Sequence, residues 1–214
     1  MKYLSSICTL LIITCVMFSA CSKSKSTVNS DSNSNTTDTL MNKKVLIVYL
    51  SRTNNTKTVA QIIQKKVGGK LVALELVTPY PENYKKIVDQ VANENSTGFL
   101  PPLKTKIDSI EQYEVIYLGF PTWGMQLPPP IKSFLKQYDF KGKTIVPFNT
   151  NAGYGIGSTF QTVKELAPSS TIREGYSTTG GIERDDILFV MEGNKEIEVT
   201  KQIDAWLRKL KLVQ

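Results

Sequence analysis

Short apolar runs alternate with amphipathic segments along most of the chain. A continuous run of apolar and β-branched residues is typical of a strand that is buried on both faces of a parallel sheet. Five such runs occur, at 44–50, 71–76, 115–120, 143–149 and 171–176. Between and after them, apolar residues recur three and four positions apart, which is the spacing of one helix face. This spacing predicts helices at 56–67, 84–95, 131–138, 158–166 and 196–210.

The alternation of strands and helices predicts an α/β fold, in which a five-stranded parallel sheet lies between two layers of helices. A strand that is followed by a helix and then by a parallel strand is the repeating unit of such a fold. Proteins of this architecture bind ligands beyond the carboxyl ends of the strands, where the strand order reverses. The loops after the first, third and fourth strands are therefore the candidate ligand-binding loops.

The first 20 residues have the pattern of a secretion signal. Lys2 gives a positive start, and the apolar run at 7–18 has the length of a signal-peptide core and is short for a membrane span. Small residues then precede Cys21, an arrangement that resembles the bacterial lipoprotein signal, although Phe18 stands where that signal usually has leucine. An ordinary signal peptide and an uncleaved anchor are the alternatives. All three place the rest of the chain outside the cytoplasm.

Residues 21–42 are predicted to be a lipidated cysteine followed by a flexible tether. Thirteen of the 19 residues at 22–40 are Ser, Thr or Asn, and such a stretch buries too little apolar surface to fold. Two acyl chains on Cys21 would hold the protein at a membrane surface. The folded domain is therefore expected at 43–214, lipid-anchored to a bacterial cell-envelope membrane on an extracytoplasmic side.

The composition excludes several kinds of chemistry. The sequence has no histidine, so a Ser-His-Asp triad and a His-ligated metal are impossible. Its three cysteines all precede position 22, which leaves the predicted domain without a disulfide or a thiolate nucleophile. The net charge is +7, but the basic residues are scattered along predicted helices. This distribution favours a solvated surface near anionic lipid over nucleic-acid binding. We assign no catalytic residue and no metal ligand.

The loop after the first predicted strand carries hydroxyl and amide side chains at the start of a helix. It reads Ser51-Arg52-Thr53-Asn54-Asn55-Thr56. The unpaired N–H groups and the dipole of a helix start attract an anion, and these side chains suit a phosphate. The sequence has no Gly-x-x-x-x-Gly-Lys motif, which disfavours a nucleoside triphosphate with magnesium. The alternative is that the hydroxyls only cap the helix.

Aromatic residues and glycines mark the other two candidate loops. Pro121-Thr122-Trp123-Gly124 follows the third strand, and a flat indole there suits stacking on an aromatic ring system. The loop at 149–157 contains Asn151-Ala152-Gly153-Tyr154. Its glycines bring backbone N–H groups close to a ligand, and Tyr154 offers a second ring face. The alternatives are a tryptophan that is buried under its own loop and glycines that serve only for turning.

Two further features are interpreted as structural. The acidic stretch Glu183-Arg184-Asp185-Asp186 is expected to be a solvated turn and not a metal site. Trp206 lies on the apolar face of the last predicted helix, so it is expected in the core.

The three loops together resemble those of the flavodoxin family, over residues 43–214. The family's phosphate loop reads Ser/Thr-x-Thr-Gly-x-Thr, and residues 51–56 match it except at the fourth position, where Asn54 replaces glycine. Asparagine tolerates positive φ well, so we expect the loop to keep its shape. Pro-Thr-Trp-Gly before a proline-rich helix start is similar to the flavodoxin-like branch of bacterial lipoproteins and small oxidoreductases. The resemblance implies a three-layer α/β/α flavodoxin-like fold.

The resemblance also implies a non-covalent FMN cofactor. Its phosphate would lie on residues 51–56, and its ring would lie against Trp123 with Tyr154 on the outer side. Backbone donors from 123–124 and 151–155 would meet its pyrimidine edge. The cofactor would supply the redox chemistry.

Three functions are compatible with this reading. The first is an FMN-dependent oxidoreductase that passes electrons to a quinone, another flavin or a similar small acceptor. The second is a non-enzymatic electron carrier, and the third is a surface binding protein without flavin. Electron-carrier flavodoxins are typically acidic, whereas this chain is basic, which favours the first function over the second.

Overall fold

The computed structural model describes residues 43–213, within which strands and helices alternate as the apolar pattern predicts. The strands are β1 (Val45–Tyr49), β2 (Lys70–Ala73), β3 (Val115–Pro121), β4 (Thr144–Asn151), β5 (Thr171–Ile172) and β6 (Tyr176–Thr179). The helices are α1 (Asn55–Val67), α2 (Tyr84–Thr97), α3 (Pro129–Gln137), α4 (Thr159–Leu166) and α5 (Gly193–Lys209). The predicted signal peptide, the tether and Cys21 lie outside the described residues.

Every strand pair in the sheet is parallel. The spatial order is β2-β1-β3-β4-β5, and β6 also pairs with β4. The sheet therefore has five strand positions, which confirms the predicted α/β fold. The order reverses between β1 and β3, so the loops that follow these two strands leave the sheet side by side.

Alternate residues of each strand fill two separate cores. On one face, Leu118 and its neighbours pack against α3 and α4. On the other face, Phe148 and its neighbours pack against α1 and α5. Trp206 of α5 is buried in this second core, as predicted. Helix α2 stands apart, because its buried Ile87 and Val91 belong to neither core.

Two short strands fill the fifth strand position, so the prediction of one continuous strand over 171–176 is wrong. Ile172 lies opposite Ile145, and Tyr176 lies opposite Phe148. Three residues of the edge, 173–175, therefore face two residues of β4, which is a one-residue bulge. Pro147 lies at this point of β4 and has no N–H to donate to an edge strand.

Two side-chain hydrogen bonds join the bulge to α5 and to the residue that follows this helix. Trp206 Nε1 donates to the carbonyl oxygen of Glu174 at 3.0 Å. Arg173 Nη2 donates to the carbonyl oxygen of Leu210 at 2.8 Å. Trp206 thus satisfies a backbone carbonyl that the interrupted strand leaves without a ladder partner. Among residues 43–213, no helix is long and apolar enough to cross a membrane.

Candidate functional site

A cavity of about 440 Å³ opens beyond the carboxyl ends of β1 and β3, where the strand order reverses. Its volume is typical of small-molecule sites, which measure roughly 300–1,000 Å³. The three candidate loops meet around it. Ten predicted site residues line the cavity, namely Arg52, Thr53, Asn55, Thr56, Pro121, Thr122, Trp123, Gly124, Asn151 and Ala152.

Asn54 adopts the left-handed conformation that the phosphate loop requires at its fourth position. Its φ is 65° and its ψ is −6°, which confirms the expectation for this residue. The Asn54 side chain makes no capping hydrogen bond to α1. Within residues 43–213, the backbone N–H groups of Asn55 and Thr56 also have no hydrogen-bond partner. The helix start therefore offers free donors to an anion.

The side chains of the phosphate loop are largely used to hold the loop itself. Asn55 is buried, and its Nδ2 donates to Thr53 Oγ1 at 2.8 Å. Thr56 Oγ1 shares a hydrogen bond of 2.8 Å with Thr150 Oγ1. Only Ser51 acts as a helix cap, because its Oγ accepts a bond of 3.3 Å from the Lys57 N–H. An anion would therefore be held mainly by the backbone N–H groups of the first helical turn.

Trp123 begins a tight turn that faces the cavity. Trp123 and Gln126 exchange two backbone hydrogen bonds of 3.2 and 3.0 Å. Gly124 and Met125 between them both have positive φ, at 55° and 60°, which is a type I′ turn. The half-buried indole meets the Tyr80 ring edge-on, with 5.4 Å between ring centroids. The turn and this ring contact together fix the indole at the cavity wall.

Tyr80 is a site residue that sequence reasoning missed, because nothing marks a tyrosine between two prolines as a partner of Trp123. Its hydroxyl donates to Glu94 Oε2 of α2 at 2.5 Å. Burial first, and then the hydrogen bond and charge of Glu94, raise the pKa of Tyr80 well above its usual value. The hydroxyl therefore stays protonated and continues to donate across the physiological pH range.

A buried network of amide side chains organises the ends of β3, β4 and β6. Asn149 is fully buried, and its Nδ2 donates to Thr122 Oγ1 at 2.9 Å. Its Oδ1 accepts a bond of 3.0 Å from Ser177 Oγ. Asn151 Oδ1 accepts the backbone N–H groups of two loop glycines, at 2.9 and 3.1 Å. These two glycines, at 153 and 155, thus donate to the loop and not to the cavity.

Four predicted site residues do not line the cavity, namely Ser51, Asn54, Gly153 and Tyr154. The first two shape the phosphate loop, as described above. Tyr154 is 65% exposed. Its role as a second ring face stays a prediction.

The loop after β6 also contributes to the cavity, through Gly180, Gly181 and Glu183. A Cβ on Gly180 would lie 3.3 Å from the Asn55 Cβ, so the loop packs closely on the start of α1. Two consecutive glycines after a strand are the signal that could have identified this loop. The loop after β4 was identified by a related signal, three glycines at alternate positions from 153 to 157.

The interpretation of 183–186 as a solvated turn is wrong for Glu183. This carboxylate is paired with Arg52 at 2.5 Å and lines the cavity. The interpretation holds for Asp185 and Asp186, which are exposed. Within the part of the chain that the structure describes, no group of three acidic, His or Cys side chains converges on a metal site.

The residues at the cavity fit a ligand that has an anionic end and a flat ring. Free N–H groups at the positive end of α1 suit the anion, and the Trp123 indole suits the ring. The donors at the phosphate end are uncharged apart from Arg52, whose charge Glu183 balances. FMN has both features, so the site fits the cofactor that the sequence resemblance implies.

Comparison with known proteins places the chain in a family. Residues 44–194 match the family model described as Flavodoxin. The flavodoxin of Synechocystis sp. (strain PCC 6803) is 23% identical over 187 residues, which cover 78% of this chain and 96% of that protein. Among solved structures, a protein of Bacteroides eggerthii DSM 20697 that is provisionally classed as a flavoprotein is 27% identical. The match covers 81% of this chain and all of that one, with a TM-score of 0.63.

A flavoprotein of Lactobacillus acidophilus NCFM, which was solved in complex with FMN, has the same fold. It is 23% identical, with a TM-score of 0.56 over 68% of this chain and 98% of that one. The family model spans most of the chain and all three candidate loops, and the solved structures share its fold. This chain therefore belongs to the flavodoxin family.

Proposed function

We propose that this chain binds FMN non-covalently and is an oxidoreductase that passes electrons to a quinone or a similar small acceptor. One observation carries the proposal: free N–H groups at a helix start and a tryptophan line the same cavity, at the point where the strand order reverses. Family membership supports the choice of FMN. The FMN complex of the L. acidophilus flavoprotein, which has the same fold, supports it further.

When bound, FMN would supply the electron-transfer chemistry, and the residues of the chain would position it. The backbone N–H groups of Asn55 and Thr56 would hold the phosphate, helped by the dipole of α1. The Trp123 indole would cover one face of the ring and exclude water from it. Asn149 fixes the Thr122 hydroxyl beside the ring site through a bond of 2.9 Å. No residue of the site needs to act as an acid or a base in this scheme.

The acceptor would meet the flavin on the α2 side of the cavity, beside Trp123. The cavity continues along one face of α2, where the lining residues are Tyr84, Ile87, Val88, Val91, Ala92, Asn95 and Ser96. The first five are apolar or aromatic, and the last two are polar. Lys132 Nζ donates to Asn95 Oδ1 at 2.8 Å, and burial lowers the pKa of Lys132. A flat apolar ring with a carbonyl oxygen fits such a groove, which favours an enzyme over a pure electron carrier.

Two measurements test the proposal. The purified protein is treated with acid, and the released ligand is identified by chromatography. We expect FMN. The protein is then mixed under anaerobic conditions with NADPH and a soluble naphthoquinone, both in excess over the protein. Steady NADPH oxidation over many turnovers supports the oxidoreductase. Stoichiometric electron transfer without turnover would support the carrier, and a protein that binds no flavin when titrated would overturn both.

We also propose that the chain is a lipoprotein, held outside the cytoplasm by acyl chains on Cys21. The signal-like pattern before Cys21 supports this proposal. In bacterial cells that express the full chain, C21S should move the protein from the membrane fraction to the soluble fraction. C15S is the matched control, because it changes a cysteine inside the apolar run and should leave the protein at the membrane. Membrane association of C21S that equals that of the wild type would contradict the proposal.

A further inference from the structure

Arg52 connects three segments that are far apart in the sequence. Its Nε donates to Glu183 Oε1 at 2.5 Å. Its Nη1 donates to the carbonyl oxygen of Pro81 at 3.0 Å, and its Nη2 donates to the carbonyl oxygen of Glu82. The side chains of Arg52 and Glu183 are only 23% and 20% exposed. All three guanidinium nitrogens of Arg52 therefore have a partner, and the ion pair is largely covered. Such a pair fixes its partners more firmly than an exposed pair does.

Asn55 fastens the same region at a second point. Its Nδ2 donates to the carbonyl oxygen of Leu188 at 2.7 Å, and its Oδ1 accepts the Val190 N–H at 3.1 Å. Both bonds go to the segment at 180–190. A Cβ at Gly181 would lie 2.2 Å from the carbonyl oxygen of Ile187, so the backbone near the start of this segment is in direct contact with the backbone near its end. Residues 180–190 therefore run along the first turn of α1 as a closed loop.

The loop at 80–83 is held from two sides in the same way. Tyr80 is fixed by its ring contact with Trp123 and by its hydrogen bond to Glu94. The next two residues are fixed by the guanidinium of Arg52. The phosphate loop thus lies between two anchored segments, and the ion pair that joins them lines the cavity.

We propose that the Arg52–Glu183 pair is a clasp that closes the phosphate end of the cavity and selects a flavin whose phosphate is terminal. This inference rests on the proposed binding of FMN and adds the residues that set its specificity. In FMN, the chain of the ligand ends at the phosphate. In flavin adenine dinucleotide (FAD), a second phosphate and an adenosine follow, and in this proposal they would need an opening between 81–82 and 180–190, which Arg52 holds together.

The clasp also assigns a role to the charge of Arg52. Glu183 neutralises the guanidinium, so Arg52 positions the loops around the phosphate and is not itself the main phosphate ligand. This role distinguishes the clasp from a simple arginine–phosphate contact. If Arg52 were the main phosphate ligand, removing the Glu183 carboxylate would strengthen FMN binding and leave selectivity unchanged.

Calorimetric titration of the flavin-free protein with FMN, FAD and riboflavin tests the clasp. The variants are E183Q and R52Q, and D185N is the matched control because it removes an exposed carboxylate of the same segment. We expect the preference for FMN over FAD, measured as a ratio of Kd values, to fall at least tenfold in both variants. It should stay within twofold of the wild type in D185N. Riboflavin affinity should change little, since it has no phosphate.

Hydrogen exchange of the flavin-free protein gives a second readout that needs no ligand. E183Q and R52Q should speed exchange at least tenfold at the hydrogen-bonded amides 86, 87, 185–187 and 190, while β3 and β4 stay protected, which shows that the variants fold. FMN binding with an unchanged FMN-to-FAD ratio would overturn the clasp alone, and so would unchanged exchange. Tighter FMN binding by E183Q without loss of selectivity would also overturn it. Failure of the wild type to bind any flavin would overturn the proposed function and the clasp together.

Discussion

Asn54 stands where the family motif has glycine, and its backbone explains why the exchange is tolerated. A φ of 65° costs most L-residues roughly 1–2 kcal/mol, and asparagine pays less because its side chain is compatible with this region. The Asn54 side chain makes no capping hydrogen bond in compensation. Its backbone conformation is therefore what the loop requires of this residue, and its side-chain chemistry is secondary.

N54A should lower the free energy of unfolding by about 1 kcal/mol, because alanine adopts positive φ less readily. N54G should change it by less than about 0.5 kcal/mol and should keep the affinity for FMN. Urea unfolding followed by circular dichroism measures both. N93A is the control, since it changes an exposed asparagine inside α2. Equal losses in N54A and N54G would show that the side chain itself is needed.

Trp123 is the residue whose substitution should most directly weaken the binding of the flavin ring. W123A should weaken the binding of FMN by about 10- to 100-fold, because an aromatic residue contributes both buried area and stacking. Riboflavin, which has the same ring, should lose as much, whereas W123F should keep most of the affinity. Calorimetric titration measures each value. A loss confined to FMN would place Trp123 at the phosphate and contradict the proposed orientation.

Helix α2 shows an element with two faces that serve different purposes. Ile87, Val88 and Val91 all line the cavity, with Ile87 and Val91 buried and Val88 46% exposed, whereas Lys85, Lys86 and Asp89 face solvent. The helical spacing of the apolar residues predicts this helix, and the structure extends it by two residues, to Thr97. That one of its faces borders the ligand cavity does not follow from the sequence, because it depends on how the loop at 80–83 folds over Trp123.

V88D should slow quinone reduction at least tenfold at unchanged affinity for FMN, because a carboxylate in the apolar groove must be desolvated when an uncharged acceptor binds. Anaerobic reoxidation of the photoreduced variant by a soluble naphthoquinone gives the rate. V77D is the matched control, since Val77 is 60% exposed and does not line the cavity. Equal effects of the two variants would place the acceptor elsewhere.

Strands, helices and the three ligand loops could be predicted because each leaves a local pattern in the sequence. The apolar runs give both ends of the first four strands and the start of the fifth to within three residues, and strand–helix alternation gives the parallel sheet. The pairing of Arg52 with Glu183 spans 131 positions and leaves no local signal. The same holds for the contact of Tyr80 with Trp123. These long-range contacts are fixed by tertiary packing. The sequence therefore predicts the three ligand loops but not the contacts of Arg52 and Tyr80 that hold neighbouring segments beside them.

Across the whole molecule, buried tyrosines make the fold sensitive to alkaline pH. Burial raises the pKa values of Tyr49, Tyr80 and Tyr117, and it is the main cause that raises the pKa of Tyr176 to about 12. A tyrosine in the unfolded chain titrates near 10.0. Their contribution to stability is therefore fully present below pH 10 and is lost as the pH rises from about 10 towards 12.

The free energy of unfolding should accordingly fall above pH 10, and the fall should be smaller in Y176F. Urea midpoints between pH 8 and pH 11.5 measure the change. Y154F, which alters an exposed tyrosine, is the matched control and should behave as the wild type does. If the free energy of unfolding fell equally steeply in Y176F and the wild type, other groups would account for the loss of stability at alkaline pH.

The extra residue at the sheet edge moves the side chains that follow it to the opposite face of the sheet. Ile172 packs on the α3 and α4 side of the sheet, whereas Tyr176, four positions later, packs on the α1 and α5 side. In an uninterrupted strand these two side chains would point the same way. The shift is what brings Ser177 to the side of the sheet that carries the Asn149 amide. Deleting one residue from 173–175 would therefore invert the last strand and remove that serine from the polar network, so the ligand site depends on the number of residues in a segment that never touches it.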